Sequence, residues 1–444
     1  MMFDSVSSTV FRNGPDFSVS SNQEIFSMFS KIHISMRSLE ETLAIVDNSY
    51  DDMVETMLGM ISIPALAPVN GGDGEGRKAD YLQGKLSGFD TVQRYDIPDD
   101  TDPSVMRCNV VAKKQGAKPG TVWVIAHMDV VPAGDPDKWD SPPFDPVYRD
   151  GRIYGRGTED NGQSVISSMF ASRAVLDQDL HGMSLGVMYV ADEETGSEKG
   201  IQYLLDQGLF SEDDVIMVPD WGSPEGSMID VAEKSVLWLR FIIEGKTTHG
   251  SSPDEGINAF RVSTYLLTEL MDRLAERYSD RDELFIPSRC TFEPTKRPAT
   301  VKNINTIPGH DEFCMDMRIL PGYDVDGILD FIRSIMAEHA DRTGARISME
   351  IVQNEKSGKP SSVHTKGFTA LCDAVEHVTG RVPVGKGIGG GTCANFFRLR
   401  GLDAYAWQCG GGTLHAPNEY VEMSNLMLDA KVFATLYYNL CVKG

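Results

Sequence analysis

The sequence predicts an α/β/α fold: a mostly parallel sheet layered between helices, interrupted by a smaller inserted unit. Three observations carry this expectation. Strand-like and helix-like patterns alternate over residues 36–233 and resume over 356–444, as in a parallel sheet with helical crossovers. Several apolar, β-rich runs end in a histidine or a carboxylate, and the carboxyl edge of an open α/β sheet is where ligands bind. Around Glu233 the pattern changes to the order β-α-β-β-α-β, which suggests a small ferredoxin-like unit over 234–355. At 444 residues the chain is also too long for one ordinary core.

Along the chain, residues 1–35 are rich in Ser and Asn with weak periodicity, and are expected to be a poorly ordered extension. Leu39, Leu43, Val46, Met53, Met57 and Met60 recur at helical spacing, so one amphipathic helix is expected from Ser38 to Met60, stopped by Pro64. Gly71 to Gly76 reads as a loop, with no Gly-Lys-Ser/Thr to make it a phosphate cradle. A helix is expected at 79–86, strands at 91–95, 109–113 and 123–127, and a surface loop at 135–150. A helix at 164–178 and strands at 186–191 and 215–218 complete the first segment. In the insertion, strands are expected at 236–244, 300–306, 312–319 and 346–352, with 300–306 and 312–319 paired through Pro308-Gly309. Helices fall at 259–278 and 325–340, and after the insertion at 368–378 and from 424.

Composition narrows function. A net charge of −24 argues against nucleic acid or an anionic membrane as partner. No apolar run reaches membrane-spanning length, and no Cys-x-x-Cys pair occurs among the seven cysteines, which fits reduced thiols and a cytoplasmic location.

The chemistry lies at the strand ends. Trp123-Val-Ile-Ala-His127-Met-Asp129 puts His127 and Asp129 two apart, on one side of a strand. Gly186 to Ala191 runs into Asp192-Glu193-Glu194, and Val215 to Val218 into Pro219-Asp220. His415 follows the run ending at Trp407, and Asp160 sits in the loop Gly155-Arg-Gly-Thr-Glu-Asp160. Each alone reads as a turn, cap or strand-end residue. Together they form a set of imidazoles and carboxylates suited to zinc, cobalt or manganese. Adjacent Glu193 and Glu194 would repel at the end of an apolar strand unless a cation or proton intervened. His33, His181, His310, His339, His364 and His377 are expected to be solvated.

His127-Met-Asp-Val-Val-Pro132, Gly155-Arg-Gly-Thr-Glu-Asp160, Asp192-Glu-Glu-Thr-Gly196 and His415-Ala-Pro-Asn-Glu419 resemble, in order, the motifs of the dinuclear-metal peptidases and deacylases. That family includes acetylornithine deacetylase, succinyl-diaminopimelate desuccinylase, glutamate carboxypeptidase and related dipeptidases. The resemblance spans Leu39 to the C-terminus. It implies two divalent ions, zinc foremost, with His127 and Asp220 on one, Glu194 and His415 on the other, and Asp160 bridging. Asp129 would orient His127, and Glu193 would be the general base. A cis peptide is implied after Asp160. The chain departs from the pattern there, reading Asp160-Asn161-Gly162-Gln163 where relatives often have Asp-x-Lys-Gly.

In the insertion, Gly245-Lys-Thr-Thr-His249 matches the family's lid histidine, which would stabilise the oxyanion, often across a dimer interface. Asn305 and Arg318 match its substrate-binding positions, and Gly390, Gly391 and Thr392 the loop that would receive a substrate carboxylate. The implied function is hydrolysis of an amide bond in N-acyl amino acids or short peptides with a free carboxylate. Alternatives are a dipeptidase or carboxypeptidase of the same family and, more distantly, a non-catalytic amino-acid or metal binder. A homodimer through the lid is a further implication.

Overall fold

The computed structural model describes residues 36–299, 301–410 and 412–444. The extension expected over 1–35, with His33, lies outside the described residues. The description below concerns Ser38–Gly444, one compact unit.

The single helix expected from Ser38 to Met60 is two, α1 (Leu39–Asp47) and α2 (Tyr50–Ile61). Ser38 starts α1 with a capping box: its hydroxyl accepts from Glu41 N–H at 3.1 Å, and Glu41 Oε2 accepts from Ser38 N–H at 2.8 Å. The break falls at Asn48-Ser49, residues that compete with helix by bonding nearby backbone. One apolar stripe continues through both helices, so periodicity alone does not show the break. Next come α3 (Gly76–Lys85), β1 (Thr91–Pro98), β2 (Met106–Lys114), β3 (Thr121–His127), α4 (Gln163–Arg173), β4 (Ser184–Val190) and β5 (Val215–Met217). The inserted segment holds β6 (Ser235–Glu244), α5 (Ala259–Arg277), β7 (Thr291–Lys296), β8 (His310–Ile319), α6 (Val325–Thr343) and β9 (Arg346–Glu355). The first segment's architecture resumes with α7 (Lys366–Thr379), β10 (Ala404–Tyr405) and α8 (Met423–Tyr437).

The larger sheet has the order β1-β2-β4-β3-β5-β10. The junctions β4/β3, β3/β5 and β5/β10 are parallel, and β1/β2 and β2/β4 antiparallel. Every residue of β3 and β4 is buried, as strands covered on both faces must be. On one face α4, itself almost wholly buried, packs against α8; on the other lie Ile201, Leu204 and Phe397. The register pairs His127 with Val190, so β3 and β4 end side by side at one edge.

The smaller sheet is fully antiparallel, in the order β7-β8-β6-β9. Along β6 and β8 burial alternates. Leu237, Leu239, Phe241 and Ile243, with Phe313, Met315, Met317 and Ile319, face α5 and α6. Trp238, Arg240, Asp316 and Arg318 face the other way.

Two further expectations fail here. The outer partner of β8 is β7, not the segment before Pro308; among the described residues Thr306–Ile307 pairs with Thr248–His249. Pro294 and a bulge interrupt β7, and its outer residues alternate weakly, which hid an edge strand where proline is tolerated. His339, expected to be solvated, is buried on α6, with Nε2 2.7 Å from a Glu269 carboxylate oxygen.

Candidate metal centre and cleft

Three strand ends and two loops converge at the carboxyl edge of the larger sheet. His127 is the last residue of β3, and Asp129 follows in the same extended run. Past β4, the chain turns at Asp192, whose left-handed φ of 66° throws Glu193 and Glu194 into a tight turn. Asp220 follows β5. Asp160 comes from the loop before α4, where the peptide to Asn161 is cis. His415 comes from the loop before α8.

The carboxylate of Asp160 sits between the two imidazoles. Its Oδ1 is 2.9 Å from His127 Nε2 and its Oδ2 is 3.0 Å from His415 Nε2. Asp220 Oδ1 lies 3.4 Å from His127 Nε2, and Glu194 Oε1 3.3 Å from His415 Nε2. Two overlapping groups of potential ligand atoms result, His127/Asp160/Glu194 and His127/Glu193/Asp220, each within 4.8 Å. Glu194 Oε1 is buried without a hydrogen-bond partner. An orphaned carboxylate oxygen among four other carboxylates and two imidazoles is a donor set that fits divalent cations.

Asp129 ties the strand ends together. Its Oδ1 and Oδ2 accept from the N–H groups of Glu193 and Glu194, both at 3.0 Å. Its backbone carbonyl is 3.0 Å from His127 Nδ1, its carboxylate 3.6 Å away. The second ring nitrogen of His127 is thus fixed chiefly by a carbonyl, with the carboxylate behind it.

The electrostatics follow from packing this much charge together. Burial pushes the Glu193 carboxyl well up, and the charges of Asp220, Glu194 and Asp129 push the same way. Burial raises Glu194 likewise, with His415 opposing. Burial works against the charges of His127 and Asp160 but is outweighed: the charge of Asp220 and bonds to Asp129 and Asp160 raise His127, and bonds from His127 and His415 lower Asp160. The carboxylates of Asp160 and, beside it, Glu194 raise His415 to about 10.

Several positioning residues were not legible as such. Glu419, fully buried, receives N–H bonds from Gly157 (3.0 Å), Glu159 (2.9 Å) and Asp160 (3.0 Å), and Arg156 donates to it at 2.6 Å. The motif containing Glu419 was visible, but its partners lie some 260 residues away. Glu159 receives the N–H groups of Gly412 (2.7 Å) and Thr413 (2.6 Å), tying down the loop that carries His415. Asn161, at the departure from the family pattern, donates to Asp220 Oδ1 at 2.6 Å and to Pro219 O at 2.9 Å. Buried Lys78 donates to Met128 O at 3.0 Å, between His127 and Asp129.

Beside the centre opens a cleft of about 790 Å³, lined by Glu193, Glu194, Trp238, Arg318, Gly391 and Thr392, among others. Arg318 is already engaged. Its Nε and one terminal nitrogen hold both oxygens of Asp316 at 2.7 and 2.9 Å, and its other terminal nitrogen donates to Gly389 O at 2.6 Å. Three of its five N–H groups are thus engaged, and the other two remain to meet a substrate carboxylate. The Thr392 hydroxyl donates to Glu233 at 2.8 Å. His249 and Asn305 do not line this cleft; they sit together elsewhere on the inserted segment, 3.5 Å apart, with His249 exposed. Cys393 is buried near the centre, and burial first, then the charges of Glu193 and Asp220, push its thiol well up, away from nucleophilic use.

Comparison with known proteins agrees with this geometry. Residues 123–439 match the model of peptidase family M20/M25/M40. An uncharacterised metallohydrolase of Methanocaldococcus jannaschii is 35% identical over 404 residues, covering 86% of this chain and 98% of the relative. A succinyl-diaminopimelate desuccinylase of Caulobacter is 27% identical over 334 residues, covering 74% of this chain and 83% of the relative. Among solved structures, human carnosine dipeptidase 1 superposes with a TM-score of 0.70 at 18% identity, and the dipeptidase Dug1p of Saccharomyces cerevisiae with 0.69 at 19%. Each covers 91% of this chain and is itself covered to 99%. The order of the metal-centre residues along the chain, the sheet edge that gathers them and the matched span together place the chain in the M20/M25/M40 peptidase family, as a metallohydrolase of amide or peptide bonds.

Proposed function

We propose that the chain hydrolyses N-acyl amino acids or short peptides at a two-ion centre, with Asp160 as the shared ligand. The observation that carries this reading is the Asp160 carboxylate, one oxygen turned to His127 and the other to His415. His127 and Asp220 would hold one ion, Glu194 and His415 the other. Zinc is the ion we assign, with cobalt and manganese suited to the same donors. Bound there, two divalent ions supply Lewis acidity and lower the pKa of a water molecule.

Glu193 lines the cleft and reaches the same centre. In this reading it takes a proton from the attacking water and returns it to the leaving amine. Asp129 holds Glu193 and Glu194 through their backbone N–H groups, so the base and one ligand move as a unit. Arg318, held in place by Asp316, orients a substrate carboxylate through its two remaining N–H groups. His249 and Asn305 lie outside this chain's cleft, which supports a homodimer in which each lid delivers them to the other copy's oxyanion. Among the described residues no helix is long and apolar enough to cross a membrane; the cytoplasm is the location we assign.

The test is a mixed pool of N-acyl amino acids and dipeptides, offered to metal-stripped protein and then to protein restored with zinc, cobalt or manganese. Cleavage that returns with metal supports the reading, and the products separate deacylase from dipeptidase. Tight metal binding with every compound left intact would favour a non-catalytic binder.

A further inference from the structure

The strand that runs into the Glu193-Glu194 turn has a neighbour on each side: β4 lies between β3 and β2. From the β3 side, Asp129 accepts the N–H groups of Glu193 and Glu194. On the β2 side the antiparallel register pairs Val110 with Tyr189. Continued beyond the paired residues, it sets Asn109 opposite Val190 and Arg107 opposite Asp192. Asn109 Oδ1 accepts from Ala191 N–H and its Nδ2 donates to Lys199 O, both at 2.9 Å. One terminal nitrogen of Arg107 lies 3.0 Å from Asp192 Oδ1. Asp192 in turn accepts from Lys199 N–H at 2.9 Å and from the Thr195 hydroxyl. Both ends of the turn are therefore gripped from β2.

Arg107 is buried, and it gathers more negative charge than it carries. Its Nε and one terminal nitrogen hold Glu75, the residue before α3, at 2.9 and 2.6 Å. The nitrogen that faces Asp192 also bonds Asp99 at 3.1 Å. All three acids are buried, and the strand around Arg107 and Asn109 is otherwise apolar at its buried positions. Replacing such an ion cluster by well-packed apolar residues is often neutral or stabilising, so stability alone does not account for it. Its distinct return is geometric, because a planar guanidinium with fixed donors sets the acids around it in one arrangement. Asp192 needs such a hold. Its φ of 66° is uncommon for a residue with a side chain, and the next two residues are the proposed base and an ion ligand.

We propose that Arg107 is a positioning residue for the reaction: it holds Asp192 and so fixes where Glu193 and Glu194 stand, while Glu75 and Asp99 hold the guanidinium. This rests on the hydrolase reading above. The start of α3 then braces both strand ends. Glu75 does so through Arg107, and Lys78, three residues on, bonds the carbonyl between His127 and Asp129.

Two substitutions test this on the metal-loaded protein. Asp192→Asn keeps the shape of the side chain and suits the left-handed φ, so it removes only the charge that Arg107 holds. Arg107→Lys keeps a cation but replaces the fork by a point charge that cannot face three acids at once. Each should lower kcat by about 10- to 100-fold with KM little changed, the mark of a displaced catalytic group. In chelator competition one of the two zinc ions, that of Glu194, should bind about tenfold or more weakly, and the other as in the wild type. Adding Arg107→Lys to Glu193→Gln should cost little further turnover, because the base through which it acts is gone. A purely stabilising role would add its full cost there and weaken both ions alike. That result overturns the inference, as do wild-type kcat and zinc affinities in both variants. If Arg107→Lys does not fold, Asp192→Asn, alone and with Glu193→Gln, carries the same comparison. If the wild-type protein cleaves nothing, the hydrolase reading fails and the zinc titrations decide: weakening of one ion upholds the positioning role, and equal weakening or none overturns it.

Discussion

Glu419 is the residue from which the Asp160 loop hangs. Both its oxygens are spent on backbone N–H groups and Arg156, with no room for water. Glu419→Gln keeps the size but turns one acceptor into a donor facing Gly157 N–H and Arg156 or Glu159 and Asp160. Metal affinity should fall about 10- to 100-fold, the usual cost of losing support behind a ligand, as read by competition with a chelator. Wild-type affinity would show that the loop holds itself. Glu193 predicts the opposite split: Glu193→Gln should retain metal while turnover drops by at least about a hundredfold, the lower range for a general base. Equal losses of metal and activity would make Glu193 a ligand, as its closeness to His127 and Asp220 allows.

At the scale of elements, what the sequence showed and what it hid have physical causes. Strand ends carrying His127, Glu193, Glu194 and Asp220 were legible because buried strands are unbroken apolar runs and a charge at their end is conspicuous. The pairing of β7 with β8 was not, because Pro294 and exposed positions gave β7 no alternation. The break between α1 and α2 was hidden by an apolar stripe running through both. Asp316 and Arg318 were visible two apart on one strand face, yet only the folded geometry shows them bonded to each other. Packing between β3 and β4 yields its own test. Gly186 lies against the Trp123 ring, and a Cβ there would overlap it. Gly186→Ala should destabilise the protein by about 1–3 kcal/mol, a lowered melting temperature with metal saturating. No change would mean Trp123 can move aside despite being buried.

Over the whole molecule, the residues proposed to hold the ions gather within one chain, while His249 and Asn305 do not line the cleft beside them. If they act on a second copy, two inactive variants should rescue each other. A mixture of His249→Ala and Glu193→Gln chains, unfolded and refolded together with metal, should regain about a quarter of wild-type activity, because half the dimers carry one intact site of two. A mixture as inactive as its parts would confine His249 to a structural role or to movement within its own chain. Metal also belongs to this scale, since ions that bind only the folded chain add to its stability. Stripping them should lower the melting temperature, and zinc should restore it in proportion to the logarithm of free metal.

The shared carboxylate is the claim on which the rest depends, and calorimetric titration of metal-stripped protein with zinc, checked by elemental analysis, tests it most directly. The account predicts two ions per wild-type chain and the weakening of both sites together in Asp160→Ala, because the lost carboxylate serves both. One ion per wild-type chain, or an Asp160→Ala protein that still binds two with undiminished affinity, would contradict it.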